Sequence, residues 1–97
     1  MAKVTVTATE PVAERFGATG KKRVRFEEPL GDGETLEAFV RRLCVRLPTL
    51  AEITLSPFSG ALVPGYRVHV NGRRVPFADW PTTPLSDGDR VLFRRKY

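Results

Sequence analysis

The chain has 97 residues, of which 41% are hydrophobic, and a formal net charge of +5. This length fits a single domain over residues 1–97 with one modest core. One cysteine and one histidine exclude an internal disulfide and the usual zinc ligand sets. A basic domain suits an acidic protein, a phosphate-bearing ligand or nucleic acid, although soluble domains often carry a net charge of about 2–8 without such a partner.

The hydropathy pattern contains no membrane span. No apolar run approaches the ~20 residues that cross a bilayer. Residues 1–6 alternate between polar and apolar and lack the apolar block of a signal peptide. We therefore expect a cytoplasmic protein with no membrane contact.

Alternating hydropathy predicts two strands in the first third of the chain. Residues 3–9 place valine and alanine on one face and lysine and threonine on the other. Residues 21–26 form the second strand, with Val24 and Phe26 on one face and arginines on the other. Residues 10–20 connect them as either one helical turn or an irregular loop, so the strands can be antiparallel neighbours.

One long helix follows. Thr35 is the predicted N-cap, and Pro48 ends the helix at about Leu47. Apolar residues recur at helical spacing and predict a stripe that packs on the sheet: Leu36, Phe39, Val40, Leu43 and Leu47. The arginines lie off this stripe and are expected to be solvated: Arg41, Arg42 and Arg46.

A hairpin is predicted in the second half of the chain. Residues 49–65 are mixed, with a short extended piece at Ile53 and Leu55. Residues 66–70 alternate as a strand, and the dipeptide Asn71–Gly72 favours a type I′ turn. Residues 73–77 return as a short edge strand because Pro76 cannot donate to a sheet.

The last stretch forms the closing strand. Residues 79–84 are predicted to be a loop in which Trp80 covers the end of the core. Asp87-Gly-Asp89 is a tight turn, and residues 90–94 then alternate as a half-buried strand. Two hairpins and one helix predict an α+β fold in which the last strand lies beside the first and is central.

Two stretches carry a family resemblance: residues 64–75, PGYRVHVNGRRV, and residues 83–93, TPLSDGDRVLF. In this order and at this spacing they resemble the MoaD/ThiS family, the ubiquitin-like sulfur carrier proteins of molybdopterin and thiazole synthesis. The resemblance covers most of the chain. It implies a β-grasp fold, with a mixed four- to five-stranded sheet and one main helix packed on one face.

The resemblance also implies a chemistry at the C-terminus. Such carriers end in Gly-Gly on a tail that threads into a partner, where an activating enzyme adenylates the carboxylate and sulfur replaces the adenylate. The present sequence ends Arg94-Arg-Lys-Tyr97 without that pair. Either the chain kept the fold and lost the carrier role, which we favour, or it was cut short of its glycines. No residue is carried over as catalytic, and no cofactor is expected.

The predicted strands also define a candidate binding face. If the valines face the helix, the opposite sheet face contains no acidic residue. Its members are Thr5, Thr7, Arg23, Arg25, Arg67, His69, Leu92 and Arg94. One interpretation is an ordinary solvated sheet face. The other is a partner-binding face for an acidic protein, formed by the arginines, His69 and an apolar anchor at Leu92.

Catalysis has little support in the sequence. His69 has no evident carboxylate to orient it, Asp87 and Asp89 fit a turn, and Cys44 fits a buried helix position. We therefore predict a non-catalytic protein-docking module whose partner is an adenylating enzyme or a cofactor-synthase subunit. The alternative is a basic adaptor that binds an acidic protein or RNA. RNA is the weaker choice because only His69 on this face could stack on bases.

Overall fold

The computed structural model describes residues 2–9, 23–52, 54 and 66–95. The chain begins with strands β1 (Lys3–Thr9) and β2 (Arg23–Pro29), followed by helices α1 (Leu36–Arg46) and α2 (Pro48–Ala51). The second half contains β3 (Tyr66–Val70), β4 (Arg73–Val75), a 3-10 helix (Phe77–Thr82) and β5 (Arg90–Arg95).

The five strands form one mixed sheet in the order β2-β1-β5-β3-β4. β5 runs parallel to β1, whereas the β1–β2, β3–β4 and β3–β5 pairs are antiparallel. The register pairs Val91 with both Val6 and Val70, which keeps the apolar faces of three strands aligned. The prediction that the last strand lies beside the first and is central is confirmed.

The core lies between α1 and one face of the sheet. Thr35 caps α1 as predicted, because its Oγ1 accepts a hydrogen bond from the Ala38 amide at 3.3 Å. The helix buries four residues of its predicted stripe together with Cys44, and Leu47 at its C-cap is partly buried against the same core. Valines of the three central strands and Phe93 meet this stripe: Val4, Val6, Val68 and Val91. Each such side chain contributes roughly 1.5–3 kcal/mol of hydrophobic free energy relative to full exposure.

The two predicted turns have the expected geometry. Asn71 and Gly72 both have positive φ, 53° and 84°, as a type I′ turn requires. Asp89 accepts hydrogen bonds from the Asn71 side chain and the Ser86 amide, and Asp87 accepts one from the Lys3 amide. Both aspartates therefore serve the turn before β5, which is the interpretation favoured from sequence.

The predicted loop over residues 79–84 is wrong in part, since a 3-10 helix runs from Phe77 to Thr82. Trp80 on this helix is buried and closes the end of the core, as predicted. Its Nε1 donates to the Val75 carbonyl at 3.1 Å, and its ring stacks on Tyr66 with centroids 6.4 Å apart. The short edge strand β4 correspondingly ends at Val75.

β2 extends three residues beyond the predicted end at Phe26. The extension places Glu27 opposite Thr5 and Glu28 opposite Val4, so that Glu28 points toward the helix and is buried. The four residues after Leu47 form α2. The predictions for residues 10–22 and for Ile53 and Leu55 lie outside the described residues.

Candidate partner-binding face

The sheet surface opposite α1 carries a continuous row of side chains across all five strands. The register pairs Arg25 with Thr7, Thr7 with Leu92, Leu92 with His69, and His69 with Arg74. Side chains on one face of paired strands lie about 5 Å apart, so these five residues are contiguous. This row is the centre of the candidate site.

The predicted site residues all lie on this surface. Arg67 pairs with Arg94 beside the central row, and Arg23 pairs with Thr9 at one corner. The arginine side chains are exposed, whereas His69 and Leu92 are half-buried. We define the basic face as the predicted residues together with two that the prediction missed, namely Arg23, Arg25, Arg67, His69, Arg74, Arg90, Leu92 and Arg94.

Arg74 and Arg90 could have been found from the sequence. A two-residue turn at Asn71–Gly72 fixes the hairpin register and places Arg74 opposite His69. Strand alternation alone puts Arg90 on the face of Leu92. The arginines on the basic face therefore number six rather than four.

The expectation that this surface has no acidic residue is wrong. Glu27 lies on it, because β2 continues past Phe26 and pairs Glu27 with Thr5. Its carboxylate is 3.3 Å from the Lys3 ammonium, so it is neutralised locally at one end of the surface. Within the described residues, no carboxylate forms an ion pair with any arginine of the basic face.

The pKa of His69 reflects its burial and the positive charge around it on this surface. Its Nδ1 is buried and has no hydrogen-bond partner among the described residues. Burial lowers the pKa of His69, and the nearby guanidinium groups of Arg94, Arg74 and Arg67 lower it further. The three guanidinium groups therefore disfavour a further positive charge at His69. An anionic group placed there would relieve this repulsion.

A second charged region lies on the opposite side of the sheet, where α1 meets β2. Arg46 Nη2 is 2.6 Å from one Glu28 oxygen, and Arg42 Nη1 is 3.2 Å from the other. Arg42 Nη2 also contacts Glu34 at 2.8 Å, and this hydrogen bond lowers the pKa of the Glu34 carboxyl. We call these four residues the helix-side cluster. The side chains of Arg42 and Arg46 are 41% and 52% exposed, so the predicted solvation of these arginines holds in part. Their ion pairs with Glu28 were not predicted, because β2 was taken to end before that residue.

The thiol of Cys44, another group considered for catalysis, is part of the buried core. Cys44 is 3% exposed, and burial raises the pKa of its thiol, which disfavours the reactive thiolate. Within the described ranges, no three His, Cys, Asp or Glu side chains are grouped as metal ligands would be. None of the helices in those ranges has the length and apolar character needed to span a bilayer.

Comparison with solved structures identifies the fold. Small archaeal modifier protein 1 of H. volcanii is 18% identical, with 100% of both chains covered and a TM-score of 0.73. A Pyrococcus furiosus protein described as a candidate molybdopterin converting factor subunit 1 is 20% identical, also with 100% of both chains covered, at a TM-score of 0.74. CysO of Mycobacterium tuberculosis is 29% identical over 95% of this chain and 99% of that chain, with a TM-score of 0.61. The fold is the ubiquitin-like β-grasp, as predicted.

The sequence itself identifies the family. The model of the ThiS family matches residues 13–93, which is most of the chain. The chain therefore belongs to the ThiS family of ubiquitin-fold sulfur carriers, and the resemblance noted from its two sequence stretches is confirmed. Comparison with curated proteins found no match.

Proposed function

We propose that this member of the ThiS family is a non-catalytic docking module that binds an acidic protein surface through its basic face, in the cytoplasm. The observation that carries the proposal is the row from Arg25 to Arg74, in which the arginine and histidine side chains have no acidic partner within the described residues. By chemical class, the partner is an adenylating enzyme or a cofactor-synthase subunit with carboxylates at its contact surface.

The chemistry of the basic face favours a protein surface. Arginine presents a planar donor fork that matches a carboxylate, and it loses less hydration on binding than lysine does. Leu92, half-buried between Thr7 and His69, adds an apolar contact at the centre of the charged surface. An apolar centre with a charged surround is the usual arrangement of a protein interface.

The same surface fits RNA less well. Readers of single-stranded nucleic acid combine basic residues with exposed aromatic rings on which bases stack. On the basic face the only ring is the half-buried imidazole of His69. Arginine contacts to phosphate would then act alone, and such binding is weak and non-specific at physiological salt.

Sulfur carriage through a C-terminal carboxylate is the second candidate, and the match to the ThiS family favours it. The two candidates are compatible, because a carrier must also dock on the enzyme that activates it. The intact mass of protein recovered from its own source separates them. A mass increase equal to the exchange of one carboxyl oxygen for sulfur supports carriage, and unmodified protein bound to an acidic partner supports docking alone.

The docking proposal is tested by capture followed by titration. Tagged protein is used to recover partners from a lysate of its source, and the recovered partner is purified and titrated by calorimetry. The double variant Arg67→Glu plus Arg94→Glu should weaken binding at least about tenfold, because two attractive contacts become repulsive. Arg73→Glu is the matched control, since Arg73 pairs with Val70 and lies on the other side of the sheet.

The proposal also predicts strong salt dependence. Raising the salt from about 0.05 M to about 0.2 M should weaken the wild-type complex more than the complex of the double variant, because ions screen exposed charges. Equal affinity of the wild type and the double variant for the purified partner would overturn the proposal. Recovery of a nuclease-sensitive RNA in place of protein would overturn it in favour of the RNA adaptor.

A further inference from the structure

A small pocket opens at the end of the β3–β4 hairpin, where the 3-10 helix begins. Its volume is about 220 Å³. Its apolar lining includes Tyr66, Val75, Pro76, Phe77 and Trp80. A cavity of about 150 Å³ is large enough to hold benzene, and pockets for drug-sized molecules begin at about 300 Å³. The pocket therefore has room for one large side chain and not for a cofactor.

The polar groups of the two largest lining residues are already satisfied. Trp80 Nε1 donates to the Val75 carbonyl at 3.1 Å, and the Tyr66 hydroxyl is 2.8 Å from Thr54 Oγ1. Trp80 and Tyr66 are only 1% and 3% exposed, so they form the closed wall of the pocket and offer no free donor or acceptor. The accessible apolar area of the pocket is that of Val75, Pro76 and Phe77. A side chain that enters the pocket is stabilised there by burying apolar area.

Phe77 shows that apolar area is available. It is 45% exposed, and of the described residues only Val45 is another exposed large hydrophobic side chain. The Phe77 ring meets Trp80 edge-on, with centroids 5.2 Å apart and an interplanar angle of 78°. Val45 lies on α1 outside the lining of this pocket, whereas Phe77 lines it together with Tyr66 and Trp80.

Among the described residues, the charged ones that line the pocket are Arg67 and Arg74, and none of the described lining residues is acidic. Both arginines also belong to the basic face, so the pocket is continuous with that surface around the β4 edge. An apolar guest flanked by carboxylates would be complementary to the aromatic lining and to both guanidinium groups. A second copy of this chain is a poor guest, because it would bring a net charge of +5 and its own arginines to the contact.

We propose that this pocket holds one large apolar side chain, such as leucine or phenylalanine, from an acidic segment of the partner. Carboxylates on either side of that residue pair with Arg67 and Arg74. The inference rests on the proposed function, because the acidic segment belongs to the protein that docks on the basic face. It adds a specificity determinant that charge alone does not supply, namely one apolar residue at a defined distance from the acidic groups.

Trp80 allows a direct test, because it is the only tryptophan in the chain and it lines the pocket. The probe is a short synthetic peptide with a central leucine and aspartates on both sides, and Trp80 emission is followed as it is added. The matched peptide carries serine in place of leucine. The leucine peptide should bind about tenfold more tightly, since burying a leucine side chain is worth at least ~1.5 kcal/mol.

Variants of the protein test whether the leucine side chain of the peptide binds in this pocket. Phe77→Ser should remove the preference for leucine over serine, while Val45→Ser, the matched change of an exposed apolar residue, should leave it unchanged. Urea unfolding of both variants checks that they fold. Arg94→Glu, outside the pocket lining, should weaken both peptides about equally and keep the preference.

These outcomes separate the two proposals. Loss of the leucine preference in Phe77→Ser supports the pocket. A preference that survives in Phe77→Ser, or equal binding of the two peptides to the wild type, overturns the pocket and leaves docking on the basic face intact. No effect of Arg94→Glu on either peptide counts against the basic face and not against the pocket. Self-association that Phe77→Ser abolishes would assign the pocket to a second copy and overturn the inference.

Discussion

Two arginine-rich regions lie on opposite sides of one sheet and differ in what surrounds them. In the helix-side cluster, Arg42 and Arg46 contact the carboxylates of Glu28 and Glu34 at 2.6–3.2 Å. On the basic face, the described part of the chain offers no carboxylate to any arginine, and a half-buried histidine lies among three of them. The same residue type therefore serves folding on one side and is available for binding on the other.

The packing of the guanidinium groups supports this division. Arg42 lies over the Phe39 ring, 5.4 Å from its centroid, and Arg46 lies over Phe26 at 6.0 Å. Arg42 also donates to the Pro29 carbonyl at 2.6 Å, which fixes the chain between β2 and α1. These side chains are held by several contacts at once. A guanidinium group held in this way would lose these contacts if it turned toward a partner.

The largest expected effect comes from breaking the helix-side cluster. Glu28→Gln should lower the free energy of unfolding by about 2 kcal/mol, because a buried carboxylate that satisfies two guanidinium groups is replaced by a neutral amide. Urea denaturation measures the loss. Glu27→Gln is the matched control on the exposed face, where its pair with Lys3 is worth less than about 1 kcal/mol. Equal losses in the two variants would contradict the division of roles.

The next largest effect is expected on the basic face. There a substitution should change the free energy of binding and leave the free energy of unfolding nearly unchanged. Arg94→Glu should leave the free energy of unfolding within about 0.5 kcal/mol of the wild type, because no described carboxylate pairs with Arg94. Its affinity for the purified acidic partner should fall about tenfold. Thermal unfolding and calorimetric titration give the two values on the same sample. A variant that loses stability but keeps affinity would place Arg94 among the structural arginines.

The smallest effect is the pH dependence that His69 introduces. Its pKa in the folded protein is lowered by burial and by three arginines, whereas the unfolded chain has the ordinary value near 6.5. The unfolded chain therefore binds the proton first as pH falls. The contribution of His69 to stability is complete above about pH 6.5 and declines below it, toward the folded-state pKa. The difference in melting temperature between about pH 7 and about pH 5 should be smaller in His69→Gln.

The single histidine also permits a direct titration by NMR. Arg67→Gln plus Arg94→Gln should raise the pKa of His69, because two like charges are removed from its surroundings. Arg73→Gln, on the other side of the sheet, should leave the pKa of His69 unchanged. An unchanged pKa in the double variant would show that the arginines do not act on His69.

Much of the fold could be predicted because most strands alternate and turns are marked by specific residues. The bounds of β1 and β3 are those predicted, and the type I′ turn at Asn71–Gly72 set the hairpin register. The end of β2 was harder to predict, because the residue propensities of Glu27-Glu-Pro29 resemble those of a loop. Its extension depends on pairing with β1 and on the burial of Glu28 against α1, both of which are tertiary effects.

The candidate site could be predicted in outline and not in detail. Alternation alone placed Arg25, Arg67 and Arg94 on one face, and the fold supplied the strand order that joins them. The pocket beside Phe77 could not be predicted, because Phe77 was assigned to the end of the edge strand and residues 79–84 to a loop, in place of the 3-10 helix. Its lining comes from segments brought together only when Trp80 closes the core.

The most direct test of the account is to map the partner's contact surface on the folded protein by NMR. Isotope-labelled protein is titrated with the purified acidic partner, and amide shifts are compared between the two arginine-rich regions. We predict that the shifts concentrate at Thr7, His69, Leu92 and their neighbours, and that the amides of α1 around Arg42 remain unchanged. Shifts concentrated on α1, with the basic face unaffected, would contradict the central claim.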